Sequence, residues 1–320
     1  MADELGGLLP DILGTIGGTP LVELSRLAAG TGGRILAKLE YFNPGFSKKD
    51  RIALRIIEDA AAAGRLTPGQ TVVELTSGST GIGLAIVCAR KGFPFVAVMS
   101  KGNSMERAKM MRALGAEVVL VDQAPGSTPG KVSGEDLALV EAAARRLTAE
   151  RGAFRADQFY NASNAAAHEG TGEELWRQAG GRVDAFVDFA GTGGTFAGCA
   201  RALKKHNPAV RCYLVEPAGA AYLSRGEVDN PNHRIQGGGY AMELPLLDRS
   251  LVTDFVLVGD EAAVAAARRL AREEGMLAGF SSGANVAAAL ELLAGREKGS
   301  TIAVLVNDIG LKYMSNDLYE

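Results

Sequence analysis

Short, strongly apolar runs alternate along the chain with stretches in which apolar positions return every three or four residues. Ile35 to Leu39, Val72 to Leu75, Phe93 to Met99 and Glu117 to Val121 read as strands; Thr80 to Lys91, Met105 to Leu114 and Leu137 to Glu150 read as helices. A second series places strands at Ala185 to Phe189, Cys212 to Glu216 and Ile302 to Val306, and helices at Phe196 to His206, Glu261 to Glu274 and Val286 to Leu293. Short strands separated by helices predict parallel pairing through helical crossovers, hence an α/β fold. The two series meet in Arg151 to Gly181, where the pattern places a domain boundary. APGSTPGKVSGE, Ala124 to Glu135, breaks the rhythm and predicts a long surface loop. GGTP, Gly17 to Pro20, is a turn before the short apolar piece LVELSRL.

One stretch does not fit a purely structural reading. In NPGFSKKDR, Asn43 to Arg51, Ser47 followed by Asp50 is a capping-box pattern, so a helix should begin at Lys48 with Ser47 as its N-cap. Lys48 then shares a face with Arg51, Arg55 and Asp59, whereas Lys49 shares one with Ala53, Ile56, Ala60 and Ala63 and looks inward. A desolvated amine is what Schiff-base chemistry with an aldehyde requires. The competing reading is a snorkelling lysine beside a solvated neighbour.

Composition narrows the class. The 320 residues are 47% hydrophobic and 22% charged, so the chain can bury sizeable cores. A net charge of −3 and the lack of a basic stripe with interleaved aromatics argue against nucleic acid. Arg145-Arg146, Lys204-Lys205 and Arg268-Arg269 fall in helical patterns and read as solvated faces. Cys88, Cys199 and Cys212 are scattered through apolar segments, which predicts small buried thiols in a reducing compartment. His168, His206 and His233 are dispersed, and no metal site is legible. The start MADELGG leads into no signal-type core and no apolar run is long enough to span a membrane, so a cytoplasmic location is expected.

Three Gly-rich turns join strands to helices. TSGSTGIG, Thr76 to Gly83, can offer backbone N–H groups, hydroxyls and a helix N-terminus to an anion. It has some likeness to the nucleotide loop of short-chain dehydrogenases, but no Tyr-x-x-x-Lys pair follows. GTGGT, Gly191 to Thr195, lacks the last glycine of a dinucleotide fingerprint because Phe196 stands there, so a single phosphate is the better guest. GFSSGAN, Gly279 to Asn285, sets Ser281 and Ser282 before an Ala-rich helix. Read alone, each turn is also an ordinary strand-to-helix connection.

The ordered set GGTPLVEL, NPGFSKKDRIA, TSGSTGIGLA, RAKMMRALGAEV, GTGGTFAG, VEP and REEGMLAGFSSGANVAAA resembles the cysteine synthase and cystathionine β-synthase family of pyridoxal-phosphate enzymes, the fold type II group. The resemblance runs from about Ile12 to the end. It implies a tryptophan synthase β-like architecture of two domains, each a mostly parallel twisted sheet flanked by helices: residues 45–155 form a smaller, partly mobile domain, 12–44 and 156–320 a larger one, and 1–11 an arm. It implies that Lys49 forms the internal Schiff base with pyridoxal 5'-phosphate and serves as acid and base at Cα. Gly191, Thr192, Gly193, Gly194 and Thr195 would hold the phosphate, and Ser281 would face the pyridine nitrogen. Ser79 stands where the family usually has an Asn contacting the phenolic oxygen. Thr76, Ser77, Thr80 and Gln158 would take the substrate carboxylate, and Gly237, Gly238 and Tyr240 would lie over the substrate.

Those roles imply β-replacement on an O-activated L-serine through an aminoacrylate, with sulfide as the default nucleophile and L-cysteine or a related β-substituted alanine as product. One alternative is a lyase that releases pyruvate and ammonia; another is a non-catalytic binding protein. A homodimer, and docking of an acyltransferase tail in the cleft, are family expectations. AFVDFAGTGGT and VNDIGLKY depart from the family pattern, as does Ser79. The resemblance leaves no stretch for a haem-binding extension or a regulatory C-terminal domain.

Overall fold

Two sheets organise the molecule. The computed structural model describes residues 7–128, 130, 132–226 and 228–320. After a 3-10 turn at Ile12–Thr15, the chain runs β1 (Leu21–Glu23), β2 (Arg34–Leu39), α1 (Lys49–Ala62), β3 (Val72–Leu75), α2 (Ser79–Lys91) and β4 (Phe95–Ser100). It continues through α3 (Met105–Ala113), β5 (Glu117–Val121), α4 (Gly134–Glu150), β6 (Phe154–Arg155), α5 (Ser163–Gln178) and β7 (Ala185–Phe189). The remainder is α6 (Gly194–His206), β8 (Arg211–Pro217), α7 (Tyr222–Arg225), β9 (Asp254–Val258), α8 (Asp260–Glu274), α9 (Phe280–Ala294) and β10 (Thr301–Val306).

The larger sheet has the order β1-β2-β10-β7-β8-β9 and the smaller β5-β4-β3-β6. All pairs are parallel except β1 with β2, as the alternating pattern predicts. β10 lies between β2 and β7, with Val304 opposite both Ala37 and Val187. Both faces of each sheet are covered. In the larger sheet one core joins Ile35, Val187 and Val304 to Ala267 and Ala289 of α8 and α9, and the other joins Phe186 and Leu214 to Phe196 and Leu203 of α6. In the smaller sheet Val72 and Ala97 pack on Ile56 and Ile82, while Val73 and Val98 pack on Val140 and Ala144. The Val, Ile, Leu and Phe side chains among these, fully buried, each contribute roughly 1.5–3 kcal/mol, which is why apolar runs alone locate most strands.

Several elements depart from the sequence reading. Arg151 to Gly181 is largely occupied by α5, whose sequence SNAAAHEGTGEELWRQ has few large apolar residues to mark a helical face. Small residues are what the packing needs: a Cβ at Gly198 of α6 would run into the carbonyl oxygen of Ala165 on α5. α9 starts at Phe280, so Ser281 and Ser282 lie inside its first turn rather than before it. β1 and β6 are too short to show a period, and β9 follows an irregular stretch that hides it. The Ala124 to Glu135 loop holds no strand or helix among its described residues until α4 begins at Gly134; Pro129 and Lys131 lie outside the described residues, as do residues 1–6 of the expected arm.

Candidate active site

Lys49 is positioned by backbone, not by the capping box its sequence suggests. Phe46 adopts a left-handed conformation with φ 60°. The chain then pairs with the segment after β10: Ile309 N donates to Phe46 O at 3.2 Å and Lys48 N to Asn307 O at 2.9 Å. Helix α1 begins at Lys49, one residue later than expected, with Lys48 at the cap position. Ser47 Oγ does accept from Lys49 N at 3.3 Å, but Asp50 turns back to Gly45 N at 2.5 Å, so the reciprocal half of a capping box is absent. A non-glycine residue at positive φ costs of order 1–3 kcal/mol and persists where its surroundings enforce it.

The first turn of the face read through Lys48 is buried, although Arg55 farther along it is exposed. Lys48 is buried and paired with Asp188 of β7. Arg51 sits in a buried network: its guanidinium donates to Glu40 at 2.7 and 2.8 Å and to Glu174 at 2.7 and 2.8 Å. Lys38 Nζ completes it at 2.6 Å from Glu174. Burial opposes ionisation of Glu174, but Arg51 and Lys38 together hold its carboxyl down to about 2. The network ties α1 to β2 and α5.

Lys49 itself faces a cleft between the ends of the two sheets, lined also by Thr76, Ser77, Ser79, Thr80, Gln158, Thr192, Gly237, Tyr240 and Ser281. Residues far apart in sequence thus converge on one cleft. Burial and the neighbouring Lys48 cation push the Lys49 amine down to about 7, against the opposing pull of Asp188 and Glu74. A lysine at that level is available as a free base near neutrality.

The hydroxyl loop is internally organised. Thr76 Oγ1 accepts from Gly78 N at 2.9 Å and Gly81 N at 3.0 Å, which shapes the turn into α2. Thr80 donates to Gln158 Oε1 at 2.6 Å, and Gln158 Nε2 donates to Leu75 O at 2.9 Å. Ser77 Oγ meets Tyr240 OH at 2.9 Å, linking this loop to the segment opposite. Ser281 Oγ accepts from Asn307 Nδ2 at 3.1 Å.

Not every predicted residue lines the cleft. Gly191, Gly193, Gly194 and Thr195 lie behind Thr192 in the turn entering α6, and Gly238 borders the wider mouth of about 220 Å³ beside it. Their spacing is nonetheless exacting. A Cβ at Gly194 would run into the Asn164 amide, and one at Gly238 into Ala190 O. Asn164 Nδ2 donates to Thr192 Oγ1 at 2.9 Å, so the turn is braced from α5.

The sequence reading missed several cleft residues. Arg107 of α3 donates to Ser77 O at 2.6 Å and to Gln236 Oε1, and its guanidinium lies 5.1 Å from the Tyr313 ring centre. It bridges the smaller sheet to the segment Gln236–Tyr240, although in RAKMMRALGAEV it reads as one more helix charge. Asn307, Asp308 and Tyr313 also line the cleft, and Lys312 Nζ donates to Ser79 Oγ at 3.4 Å from behind it. They belong to VNDIGLKY, noticed only as a departure. Asp188 carried a usable signal: a lone acid inside the buried run AFVDF needs a partner.

Comparison with known proteins agrees with this geometry. Residues 12–308 match the family described as "Pyridoxal-phosphate dependent enzyme". A cysteine synthase of Staphylococcus aureus is 42% identical over 306 residues, covering 95% of each chain. An O-ureido-L-serine synthase of Streptomyces lavendulae is 42% identical over 315 residues, covering 98% of this chain and 93% of that one. The crystal structure of O-acetyl serine sulfhydrylase isoform 3 from Entamoeba histolytica superposes with a TM-score of 0.90 at 37% identity, covering 98% of this chain and 92% of that one.

Proposed function

The chain belongs to the pyridoxal-phosphate dependent enzyme family, and we propose that its cleft catalyses β-replacement on an O-activated L-serine, such as O-acetyl- or O-phosphoserine, giving L-cysteine or a related β-substituted alanine. The observation that carries this reading is Lys49: a cleft-facing amine brought to about 7, opposite a ring of hydroxyl donors. The residues present fit pyridoxal phosphate. The glycine turn at Gly191–Thr195 admits no side chain at Gly194, and the first-turn amides of α6, with no side-chain cap, have no intrahelical acceptors.

Bound pyridoxal phosphate supplies an aldehyde carbon that bonds an amine and a ring that draws electron density from Cα. Lys49 is the amine that would hold it and, once free, would take the Cα proton and return it. The Gly191–Thr195 turn would bind the phosphate. Ser281 would meet the pyridine nitrogen as a neutral group, which would favour expulsion of the β-substituent. Thr76, Ser77, Thr80 and Gln158 orient the substrate carboxylate, and Gly237, Gly238 and Tyr240 cover the substrate. Ser79, backed by Lys312, would stand beside the phenolic oxygen. Residues 45–155 act as the smaller domain, closing on 12–44 and 156–320 through the Arg107–Gln236 contact.

The test is turnover of O-acetyl-L-serine by cofactor-loaded protein with sulfide, small thiols, amines and an N-hydroxyurea. A β-substituted alanine formed only when one nucleophile is present supports the reading. Pyruvate and ammonia released at the same rate without any nucleophile would replace it with the lyase.

Two partnerships belong to the same reading. Exposed Phe46, Leu277, Leu311 and Met314 lie on segments joined by hydrogen bonds from Ile309 N to Phe46 O and Gly310 N to Leu277 O, and offer a face for a homodimer. An acyltransferase tail ending in a carboxylate would use the Thr76–Thr80 loop and compete with substrate. Three free, buried thiols suit a cytoplasmic setting, and among the described residues no helix is long and apolar enough to cross a membrane.

A further inference from the structure

Lys48 and Asp188 form an ion pair at the floor of the cleft that the roles above leave unused. Asp188 is the penultimate residue of β7 and 1% exposed; both its carboxylate oxygens accept from Lys48 Nζ, at 2.9 and 3.0 Å. Asn285 Nδ2 of α9 approaches the same carboxylate at 3.4 Å. Asp188 is thereby fixed from two elements, and it fixes Lys48 in turn. Lys48 lines the same cleft as Lys49, its neighbour in the chain.

A buried ion pair contributes little net stability, because desolvating two charges offsets their attraction. Apolar side chains at both positions would join β7 to the start of α1 at least as well. What the pair adds is charge in a fixed place. The other ionisable groups around Lys49 are His168 on α5, which burial keeps neutral, Glu74 on β3, Arg107 on α3, Asp308 and Tyr313 after β10, and Tyr240 on the segment opposite. Of these, Arg107 is engaged with Ser77 O and Gln236, and Asp308 accepts from Tyr313 OH at 2.7 Å. Lys48 is the cation next to Lys49 in the chain, and Asp188 is the group that keeps it from swinging away.

We propose that the Lys48–Asp188 pair is a positioning and tuning device for Lys49: the pinned ammonium of Lys48 disfavours a second positive charge beside it and holds the Lys49 amine in its proton-accepting form. This rests on the assignment of Lys49 as acid and base. The two partners act on Lys49 with opposite sign. Lys48→Met removes the cation and leaves the Asp188 carboxylate, so Lys49 holds its proton to higher pH. Asp188→Asn leaves the cation uncompensated, so Lys49 releases its proton at lower pH. A role confined to packing predicts no such opposition.

The experiment measures the rate at which cyanate carbamylates Lys49 in the full-length protein stripped of cofactor, as a function of pH and by peptide mass spectrometry. Wild type, Lys48→Met, Asp188→Asn, Lys48→Arg and the Lys48→Met/Asp188→Asn double variant are compared. The midpoint should rise by roughly one pH unit in Lys48→Met and fall by a similar amount in Asp188→Asn. It should lie between them in the double variant and stay near wild type in Lys48→Arg. With cofactor bound, the pH profile of solvent-deuterium exchange at the substrate Cα should move in the same directions. Single-variant midpoints that shift the same way, or not at all, overturn the proposal. Where Lys48→Met does not fold, a downward shift in Asp188→Asn with none in Lys48→Arg supports it, and any other pattern overturns it. Borohydride reduction of the loaded protein separates the premise: phosphopyridoxyl on a lysine other than Lys49 removes the assignment, whatever the midpoints do.

Discussion

Lys49 has a thermodynamic consequence at the scale of one side chain. Its amine is pushed from 10.5 down to about 7 in the folded protein, while the unfolded chain keeps its proton to near the ordinary value. Between those limits the unfolded state binds more protons, so this group's contribution to stability rises with pH, and below about 7 its full cost is present. In cofactor-free protein, Lys49→Met should therefore raise the thermal midpoint at pH 6, with the gain fading toward pH 10; a pH-independent difference would be inconsistent with a buried amine. Arg107 gives a second prediction. Its contacts to Ser77 O and Gln236 join the two sides of the cleft, so Arg107→Ala should lower kcat/KM for the amino-acid substrate by roughly 10–100-fold, chiefly through KM. Initial-rate kinetics with cofactor-saturated protein would check it, and an unchanged KM would show that the bridge does not order the substrate loop.

Elements are held by charge and by close backbone approach as much as by apolar burial. Glu174, with its carboxyl held at about 2, anchors α5 to Arg51 of α1. A depressed carboxyl stabilises the fold fully above its unfolded value of 4.5 and loses that contribution as pH falls toward 2. Glu174→Gln should cost on the order of 3 kcal/mol at pH 7, and urea titrations of the two proteins should converge near pH 2. Gly283 of α9 tests a different constraint, because a Cβ there would run into the Ala263 carbonyl oxygen of α8. Gly283→Ala should destabilise by about 1–3 kcal/mol, read as a lower urea midpoint with an unchanged slope.

The same elements explain what the sequence could reveal. β3 and β7 are buried apolar runs bounded by turns, β5 is a half-buried edge strand, and the limits of all three coincide with the pattern. α5 escaped notice because close packing on α6 selects Ala and Gly, which carry no hydrophobic period. Lys49 was legible from the inward face of its helix and Thr76 to Thr80 from a Gly-rich turn entering a helix, whereas Ser281 stood out only through the family resemblance. Arg107, Asn307 and Asp308 were not, since each reaches the cleft only through a partner more than a hundred residues away or through a fold-back of the chain end. The helix start was misread for a related reason: Asp50 satisfies Gly45 N, a choice made by the bend at Phe46 and not by local pattern.

At the scale of the molecule, the cleft draws residues from both sheets, so a ligand held there is expected to stabilise both together. At 100-fold excess over its dissociation constant, pyridoxal phosphate should add about 2.7 kcal/mol and sharpen thermal unfolding into one transition; Lys49→Ala should lose most of that gain. All of this depends on which lysine engages the cofactor, since Lys48, Lys49 and Lys312 lie in or just behind the cleft. The most direct measurement is borohydride reduction of the cofactor-loaded protein followed by peptide mass spectrometry. A phosphopyridoxyl group on Lys49 alone is the predicted result; the group on Lys48 or Lys312, or on no lysine of the cleft, would contradict the account.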